Sequence, residues 1–130
     1  MNRQLKLIDK PLHQTMTVYV NDEPGPGGAN HAYAISFLAF TRNADGEPQP
    51  VPPSVILNFQ KGPVNEVGVN GVSDEALLEI IIDRAAAFAK GPFASAEGTL
   101  ALRKLQEAKF WLRARYEDRA ERGVEGYTKV

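Results

Sequence analysis

The chain of 130 residues contains no cysteine, and its charges nearly cancel, with fifteen Lys and Arg against sixteen Asp and Glu. The lack of cysteine excludes disulfides, thiolate metal sites and thiol nucleophiles. A net charge of −1 gives no overall field that attracts a nucleic-acid duplex or an anionic lipid surface. The longest unbroken apolar run, Ala85–Ala89, is far shorter than the roughly 18–20 residues that span a membrane. We therefore predict that neither a DNA or RNA duplex nor a membrane is a partner.

The amino-terminal segment lacks the apolar stretch of a secretory signal, which predicts a cytoplasmic protein. Proline is also unevenly distributed, because all nine prolines but one lie at or before Pro63 and the last is Pro92. The chain beyond it is free to form a long helix. We predict a single domain over residues 1–130, in which a sheet portion (15–63) precedes a helical-hairpin portion (64–126).

Alternating apolar residues in the first portion predict three short strands that form a small antiparallel sheet, at residues 15–20, 31–40 and 55–60. The glycine-rich segment Gly25–Gly28 is predicted to be a turn with positive φ angles rather than a phosphate cradle, because no Gly-Lys-Ser/Thr follows it. Asp45-Gly46 and the run Pro48–Pro53 predict a flexible connection that is partly extended. The first two strands each have one apolar face, formed by Met16, Val18 and Val20 and by Tyr33, Ile35 and Phe37.

The second portion has the period of helices. Ser73 is a favourable N-cap for an amphipathic helix to about Lys90, which Gly91 is predicted to end in the left-handed conformation. Ser95 caps a second helix to about Arg122, roughly 40 Å long at 1.5 Å per residue. We predict an α+β fold, and we expect the excess length of this helix to pack on another copy of the chain. The predicted apolar stripes contain Leu77, Leu78, Ile81, Ala85 and Phe88 on the first helix and Leu102, Leu105, Leu112 and Tyr116 on the second.

No pattern in the sequence is typical of catalysis or metal binding. The two histidines, His13 and His31, have no HxxxH or HExxH spacing, and no serine lies in a nucleophile elbow. Acidic residues on the helices are predicted to face solvent, as most charged residues do. We predict no catalytic residue, no metal and no cofactor.

Two places have residues suited to phosphate or base. The segment around Asn70 leads into the helix capped by Ser73, and it fits an anion site and a plain sheet-to-helix crossover equally well. Phe88 and Phe93 flank the break between the helices, and aromatic faces with guanidinium groups bind bases and phosphates. Acidic residues alternate with the cations, however, so the residues alone favour core packing and a salt-bridged helix face. The cations of the second helix that enter this comparison are Arg103, Lys104, Arg113, Arg115, Arg119 and Arg122.

The segment from Asn65 to Gly126 contains an ordered series of motifs, GVNGV, IDR, GPF and RGVEG. This series resembles the hairpin domain shared by phage anti-Thoeris 1 and anti-CBASS 2 proteins. The upstream strings NDEPGPGGANHAYAISF and VILNFQKGP are similar to the N-terminal sheet portion of the anti-Thoeris 1 type. The resemblance covers nearly everything after about residue 15, and the anti-Thoeris 1 type is the closer match.

The resemblance implies a protein that binds and sequesters cyclic nucleotide second messengers without cleaving them, in the cytoplasm of an infected bacterial host. Anti-Thoeris 1 proteins take glycocyclic ADP-ribose isomers, and some members hold CBASS cyclic di- or trinucleotides at a separate site. A homo-oligomer with shared pockets is also implied, from a dimer up to a hexamer. Two alternatives remain open. One is an enzyme that cleaves the same signals, with His31 and Asp22 or Glu23 as acid–base groups, and the other is an assembly module that kept only the hairpin.

The resemblance also assigns site residues. Phe88 offers a ring face to adenine, and Arg115 offers a planar fork to phosphate. The chain departs from the family pattern at Ala96 and Gly98, where Arg and Asn are usual. Either backbone amides of residues 95–98 replace these contacts, or the ligand differs. The full set of predicted ligand-binding residues is Phe88, Phe93, Ser95, Gly98, Arg115, Arg119, Asn70 and Lys61.

Overall fold

The structure is a computed structural model that describes residues 3–51 and 53–130. Pro52, which belongs to the predicted proline-rich connection, therefore lies outside the described residues. The chain divides into two compact units, the first ending at Lys61 and the second beginning at Gly62. An antiparallel sheet followed by two long antiparallel helices confirms the predicted α+β class.

The first unit contains a four-stranded antiparallel sheet in the order β1-β2-β3-β6 and a separate two-stranded ribbon of β4 and β5. A 3₁₀ turn over Pro11–Thr15 leads into β2. The strands in the described residues are β1 (Arg3–Leu5), β2 (Met16–Val20), β3 (Ala32–Phe37), β4 (Ala39–Arg42), β5 (Pro48–Val51) and β6 (Ser54–Asn58).

The strand register confirms the predicted apolar face of the sheet. Val18 lies opposite Ile35, and Val20 lies opposite Tyr33. Directly opposite residues of an antiparallel pair share a face, so the two predicted apolar faces form one surface. Val20 is 1% exposed and is the one fully buried apolar residue among those the structure describes. At the far side of β3, the rings of Tyr33 and Phe59 meet edge to face with centroids 5.6 Å apart.

The predicted single strand over residues 31–40 is wrong in one respect, because it is interrupted at Leu38 and continues as β4 in a different ribbon. The predicted connection is extended in part, as expected, but Pro48–Val51 is not a simple linker, since it forms β5 and pairs with β4. The backbone amide of Asn43 donates to Glu47 O at 3.0 Å, so these two residues form a hydrogen-bonded pair. Such pairs alternate along an antiparallel ladder with pairs that make no hydrogen bonds, and Pro48 and Pro50 lie in the latter. Proline is compatible with a strand there.

The second unit begins with one helical turn, α1 (Val64–Val67), which the sequence analysis did not predict. The hairpin follows as α2 (Asp74–Lys90) and α3 (Ala96–Glu121). Both predicted N-caps are confirmed: Ser73 Oγ accepts from the amide of Ala76 at 3.1 Å, and Ser95 Oγ accepts from the amide of Gly98 at 3.0 Å. These bonds satisfy amides that have no partner inside the first turn.

The two glycines at the helix ends behave differently. Gly123 has φ +74° after α3, as a left-handed cap requires. The same prediction for Gly91 is wrong, because its φ is −99°. Gly91 is instead the first residue of a turn in which its carbonyl accepts from the amide of Ala94 at 3.2 Å. Pro92 follows as the second residue, a position that proline favours.

The two long helices pack against each other along only part of their apolar surface. Neither α2 nor α3 contains a fully buried residue. Within the predicted stripes, Leu77 and Leu102 are half-buried, whereas Ile81, Phe88 and Tyr116 are exposed. An ion pair between Glu79 and Lys109 joins turns of the two antiparallel helices that lie side by side.

Candidate functional site

A concavity of about 340 Å³ lies at the corner end of the hairpin, where residues 91–95 join α2 to α3. Phe88 stands in the last turn of α2, and Phe93 follows the turn that Gly91 begins. Phe88 is 53% exposed and Phe93 is 81% exposed, so neither ring is packed in a core. The structure therefore brings together two predicted ligand-binding residues as open aromatic faces. The concavity is lined by Asp83, Arg84, Ala87, Phe88, Gly91, Pro92 and Phe93.

Arg84 adds a cation to this concavity. It precedes Phe88 by four residues, which places both side chains on one face of α2. The guanidinium Cζ lies 5.7 Å from the centroid of the Phe88 ring, within the range of a cation–π contact. The predicted ligand-binding residues include cations of the second helix and Lys61 but not Arg84. The spacing of four residues from Phe88 is the signal that identifies it.

Ser95 and Gly98 are at the start of α3, beside a second and more open concavity of about 560 Å³. The amide of Gly98 already donates to Ser95 Oγ, and the amide of Thr99 donates to Ser95 O at 3.1 Å. Two of the amides in this first turn are thus engaged in capping. The lining residues of this concavity are Ala94, Ser95, Ala96, Thr99, Leu100 and Arg103.

Arg115 lies far from the corner end. Lys109 of α3 lies beside Glu79 of α2, where the two side chains form an ion pair. From this level Phe88 is nine residues toward the corner end, and Arg115 is six residues in the opposite direction. At 1.5 Å per residue, Arg115 and Phe88 are about 22 Å apart along the hairpin. Arg115 is exposed and makes no ion pair within the described part of the chain. The structure does not place it in the same site as Phe88.

Arg119 is near the open end of the hairpin, where α2 begins and α3 ends, and its side chain is only 14% exposed. It pairs with Glu125 at 3.1 Å. Its remaining nitrogens donate to the carbonyls of Lys129 at 2.9 Å, Val124 at 3.0 Å and Tyr127 at 3.1 Å. The guanidinium therefore holds the segment that follows α3. Ligand binding by Arg119 stays a prediction.

The same segment is attached to α1. The amide of Asn65 donates to Gly126 O at 3.0 Å. Glu66 accepts from the amide of Thr128 at 2.7 Å. We call this set of contacts, made by Arg119, Asn65 and Glu66 to residues 124–129, the C-terminal clasp. Asn70 is exposed between α1 and α2, and Lys61 is exposed at the end of the first unit. Neither residue lines the corner concavity.

In the first unit, the loop after β2 is organised around Asp22. Partial burial opposes ionisation of this carboxyl, but hydrogen bonds from the amides of Ala32 and His31 and from the Asn30 side chain, together with the charge of Lys61, hold its pKa below the ordinary value of 3.8. The amide of His31 donates to Asp22 at 3.0 and 3.1 Å. These contacts make Asp22 a structural acceptor of the loop.

Two further findings concern the described residues as a group. No three His, Asp or Glu side chains come together there in a way that could hold a metal ion. None of the helices combines the length and the apolar character needed to cross a bilayer.

Comparison with known proteins gives two matches. The family model described as Acb2/Tad1, hairpin domain, matches residues 54–117, which include β6, both long helices for most of their length, and Phe88 and Arg115. Over 70 residues the chain is 46% identical to a protein named Thoeris anti-defense 1 from Bacillus phage SBSphiJ7. That match covers 54% of this chain and 49% of the relative, so the chain spans about half the length of the curated relative it matches. Both matches confirm the predicted resemblance: the helical hairpin of this chain is similar to the Acb2/Tad1 hairpin domain.

Proposed function

We propose that the chain is a phage anti-defence protein that acts against Thoeris by binding and sequestering a cyclic nucleotide messenger without cleaving it. The name of the relative from Bacillus phage SBSphiJ7 supports the anti-Thoeris role. The observation that carries the binding function is the pair of exposed rings, Phe88 and Phe93, on one concavity of the hairpin.

Exposed aromatic rings at a concave site are suited to nucleobases. A ring that is more than half exposed loses apolar contact with water when a base stacks on it, and such stacking contributes about 1–3 kcal/mol per base. The turn at Gly91 and Pro92 holds Phe93 beyond the end of α2, so that both rings border the same space. We propose that glycocyclic ADP-ribose isomers bind at this corner end through adenine.

Arg115 supports a separate site for larger cyclic nucleotides. Its guanidinium is exposed and has no carboxylate partner in the described residues, so its planar fork is free to bind a phosphate. The distance of about 22 Å from Phe88 along the helices is too long for one small ligand to contact both residues within one chain. Cyclic di- or trinucleotides are the proposed ligands of this second site.

A homo-oligomer is the proposed assembly, from a dimer to a hexamer, in the cytoplasm of the infected host. Several large apolar side chains of the two long helices remain exposed in the single chain, and extensive exposed apolar surface is typical of protein interfaces. The exposed apolar residues of α2 and α3 are Ile80, Ile81, Phe88, Leu100, Phe110, Trp111 and Tyr116.

Isothermal titration calorimetry tests the function directly. The chain is titrated with glycocyclic ADP-ribose isomers and with a panel of cyclic di- and trinucleotides, and the ligand is released by heat and identified by chromatography. We expect tight binding and recovery of the unchanged ligand. Recovery of a cleavage product would instead establish an enzyme, and no heat with any ligand would leave the hairpin as an assembly module.

Phe88→Ala is the variant that locates the site. We expect it to weaken binding of a glycocyclic ADP-ribose isomer by about 1–3 kcal/mol, because the stacking surface for the base is removed. Leu12→Ala is the control, since Leu12 is 59% exposed in the first unit, outside the helices proposed for assembly, and does not line the corner concavity. Equal losses of affinity in the two variants would contradict a site at Phe88, provided that size-exclusion chromatography shows the same assembly for both.

A further inference from the structure

We propose that Arg84 binds the phosphate of a nucleotide whose base stacks at the corner end of the hairpin. This inference rests on the proposed function and adds to it a residue that selects phosphorylated ligands. Arg84 lines the same concavity as Phe88 and Phe93, so its guanidinium borders the space into which a stacked base would extend its sugar and phosphate.

The geometry leaves the hydrogen-bonding groups of Arg84 available. Its Cζ lies 5.7 Å from the centroid of the Phe88 ring, and a phenyl ring has no nitrogen or oxygen that could accept a conventional hydrogen bond from the guanidinium. Arg113 and Arg122, by contrast, each donate to a carboxylate four residues away, at 2.8 and 3.0 Å. Arg84 has no such carboxylate partner in the part of the chain that the structure describes. Its fork therefore remains open to an anion.

Asp83 makes the concavity chemically asymmetric. It lines the same space as Arg84, and a carboxylate accepts hydrogen bonds from ribose hydroxyls while it repels phosphate. A bound nucleotide would accordingly direct its phosphate toward Arg84 and its ribose hydroxyls toward Asp83. The ligand class that fits the rings, Arg84 and Asp83 is a nucleotide with both a phosphate and free ribose hydroxyls, rather than a free base or a nucleoside.

Calorimetry with glycocyclic ADP-ribose isomers, at low and at high salt, tests this role, with adenosine as the phosphate-free probe. For Arg84→Ala we expect affinity for the phosphorylated probe to fall about 10- to 100-fold at low salt, because a hydrogen-bonded charge pair is lost. We also expect the salt dependence of binding to flatten, because salt screens the interaction that Arg84 supplies. Arg84→Lys should keep the salt dependence but bind more weakly, because the planar fork is lost.

The controls separate a ligand contact from support of the ring. Arg113→Ala removes an exposed arginine of α3 and should bind like the natural chain. Arg84→Gln removes the charge but keeps part of the side-chain stem and a similar helix propensity, so it replaces Arg84→Ala if that variant loses helical circular dichroism. A fall in affinity with unchanged salt dependence, or with an equal fall for adenosine, would mean that Arg84 only supports Phe88 and would overturn the proposal.

The possible failures are distinguishable. If the natural chain binds the phosphorylated probe and Phe88→Ala loses it while Arg84→Ala does not, the role of Arg84 is refuted and the proposed function stands. If the natural chain binds none of the nucleotides, both are refuted.

Discussion

The open end and the corner end of the hairpin use the same residue type in opposite ways. At the open end, Arg119 is largely buried and its nitrogens donate to Glu125 and to three carbonyls of the clasp. At the corner end, Arg84 borders a concavity, faces an exposed ring and has no carboxylate partner in the described residues. The residue type alone therefore does not identify a ligand contact in this hairpin; what separates Arg84 from Arg119 is whether the protein itself satisfies the guanidinium donors.

The largest change in stability is expected for a substitution at the open end. We expect Arg119→Ala to lower the free energy of unfolding by about 2–4 kcal/mol, because several carbonyls and one carboxylate lose a charged donor. Denaturant unfolding followed by circular dichroism measures it. Arg113→Ala is the control, and should change stability by less than about 0.5 kcal/mol because its pair with Glu117 is exposed. Similar effects of both variants would contradict the clasp as a stabilising feature.

Asp22 is another charged group whose favourable interactions come from the protein itself, here from residues of the first unit. Its pKa is below the ordinary value in the folded state, so the unfolded state binds more protons in acid. The stabilisation is complete above about pH 4, the pKa of an unfolded Asp, and is lost as pH falls through the lower folded pKa.

Thermal unfolding between about pH 6 and about pH 3 tests the role of Asp22. The natural chain should be more stable than Asp22→Asn at the upper end of this range, and the difference should shrink toward the lower end. Asp45→Asn is the control, because Asp45 lies in the exposed turn between β4 and β5. A constant difference between the natural chain and Asp22→Asn across this range would argue against ionised Asp22 as the acceptor of the loop.

The smallest change in stability is expected at the corner end, for a substitution of Gly98. Gly98 lies in the first turn of α3, and a Cβ there would lie 3.1 Å from Ser95 Oγ, a hydroxyl that needs to move by only a few tenths of an ångström. Gly98→Ala should raise the free energy of unfolding by about 0.5–1 kcal/mol, because glycine is a poor helix former. Denaturant unfolding is the measurement. Ser95→Ala is the opposite change, and it should lower the free energy of unfolding by about 1 kcal/mol because the N-cap of α3 is lost. Destabilisation by Gly98→Ala would show that the cap cannot adjust.

Elements fixed by local signals could be predicted from the sequence. The bounds of α2 and α3 follow from Ser73, Ser95 and Gly123, because a cap depends on residues only a few positions away. β1 could not be predicted, since three residues become a strand there only through pairing with β2. β5 was missed because the tolerance of a strand for Pro48 and Pro50 depends on its register with a partner strand.

The candidate site shows the same division. The break at Gly91 and Pro92 placed Phe88 and Phe93 at one corner, but the residues alone favoured core packing, and the ligand role of Phe88 came from the resemblance to the family. Whether a helix arginine is bonded to its own chain could not be predicted from the sequence. The partners of Arg119 come from the segment after α3, whose path no local pattern determines. Arg84 was missed for the converse reason: its significance depends on the exposure of Phe88, which packing determines.

The clasp also has a consequence for the order in which contacts form and break. Glu66 and Thr128 are 62 residues apart in the chain, so their hydrogen bond closes a loop that contains both long helices. Closing such a loop in an unfolded chain is entropically costly, but pairing of α2 with α3 already brings its ends together. We therefore expect the clasp to close after the helices have paired and to open before they separate. In hydrogen exchange, the amide of Thr128 should be protected less than the amides in the middle of α2 and α3.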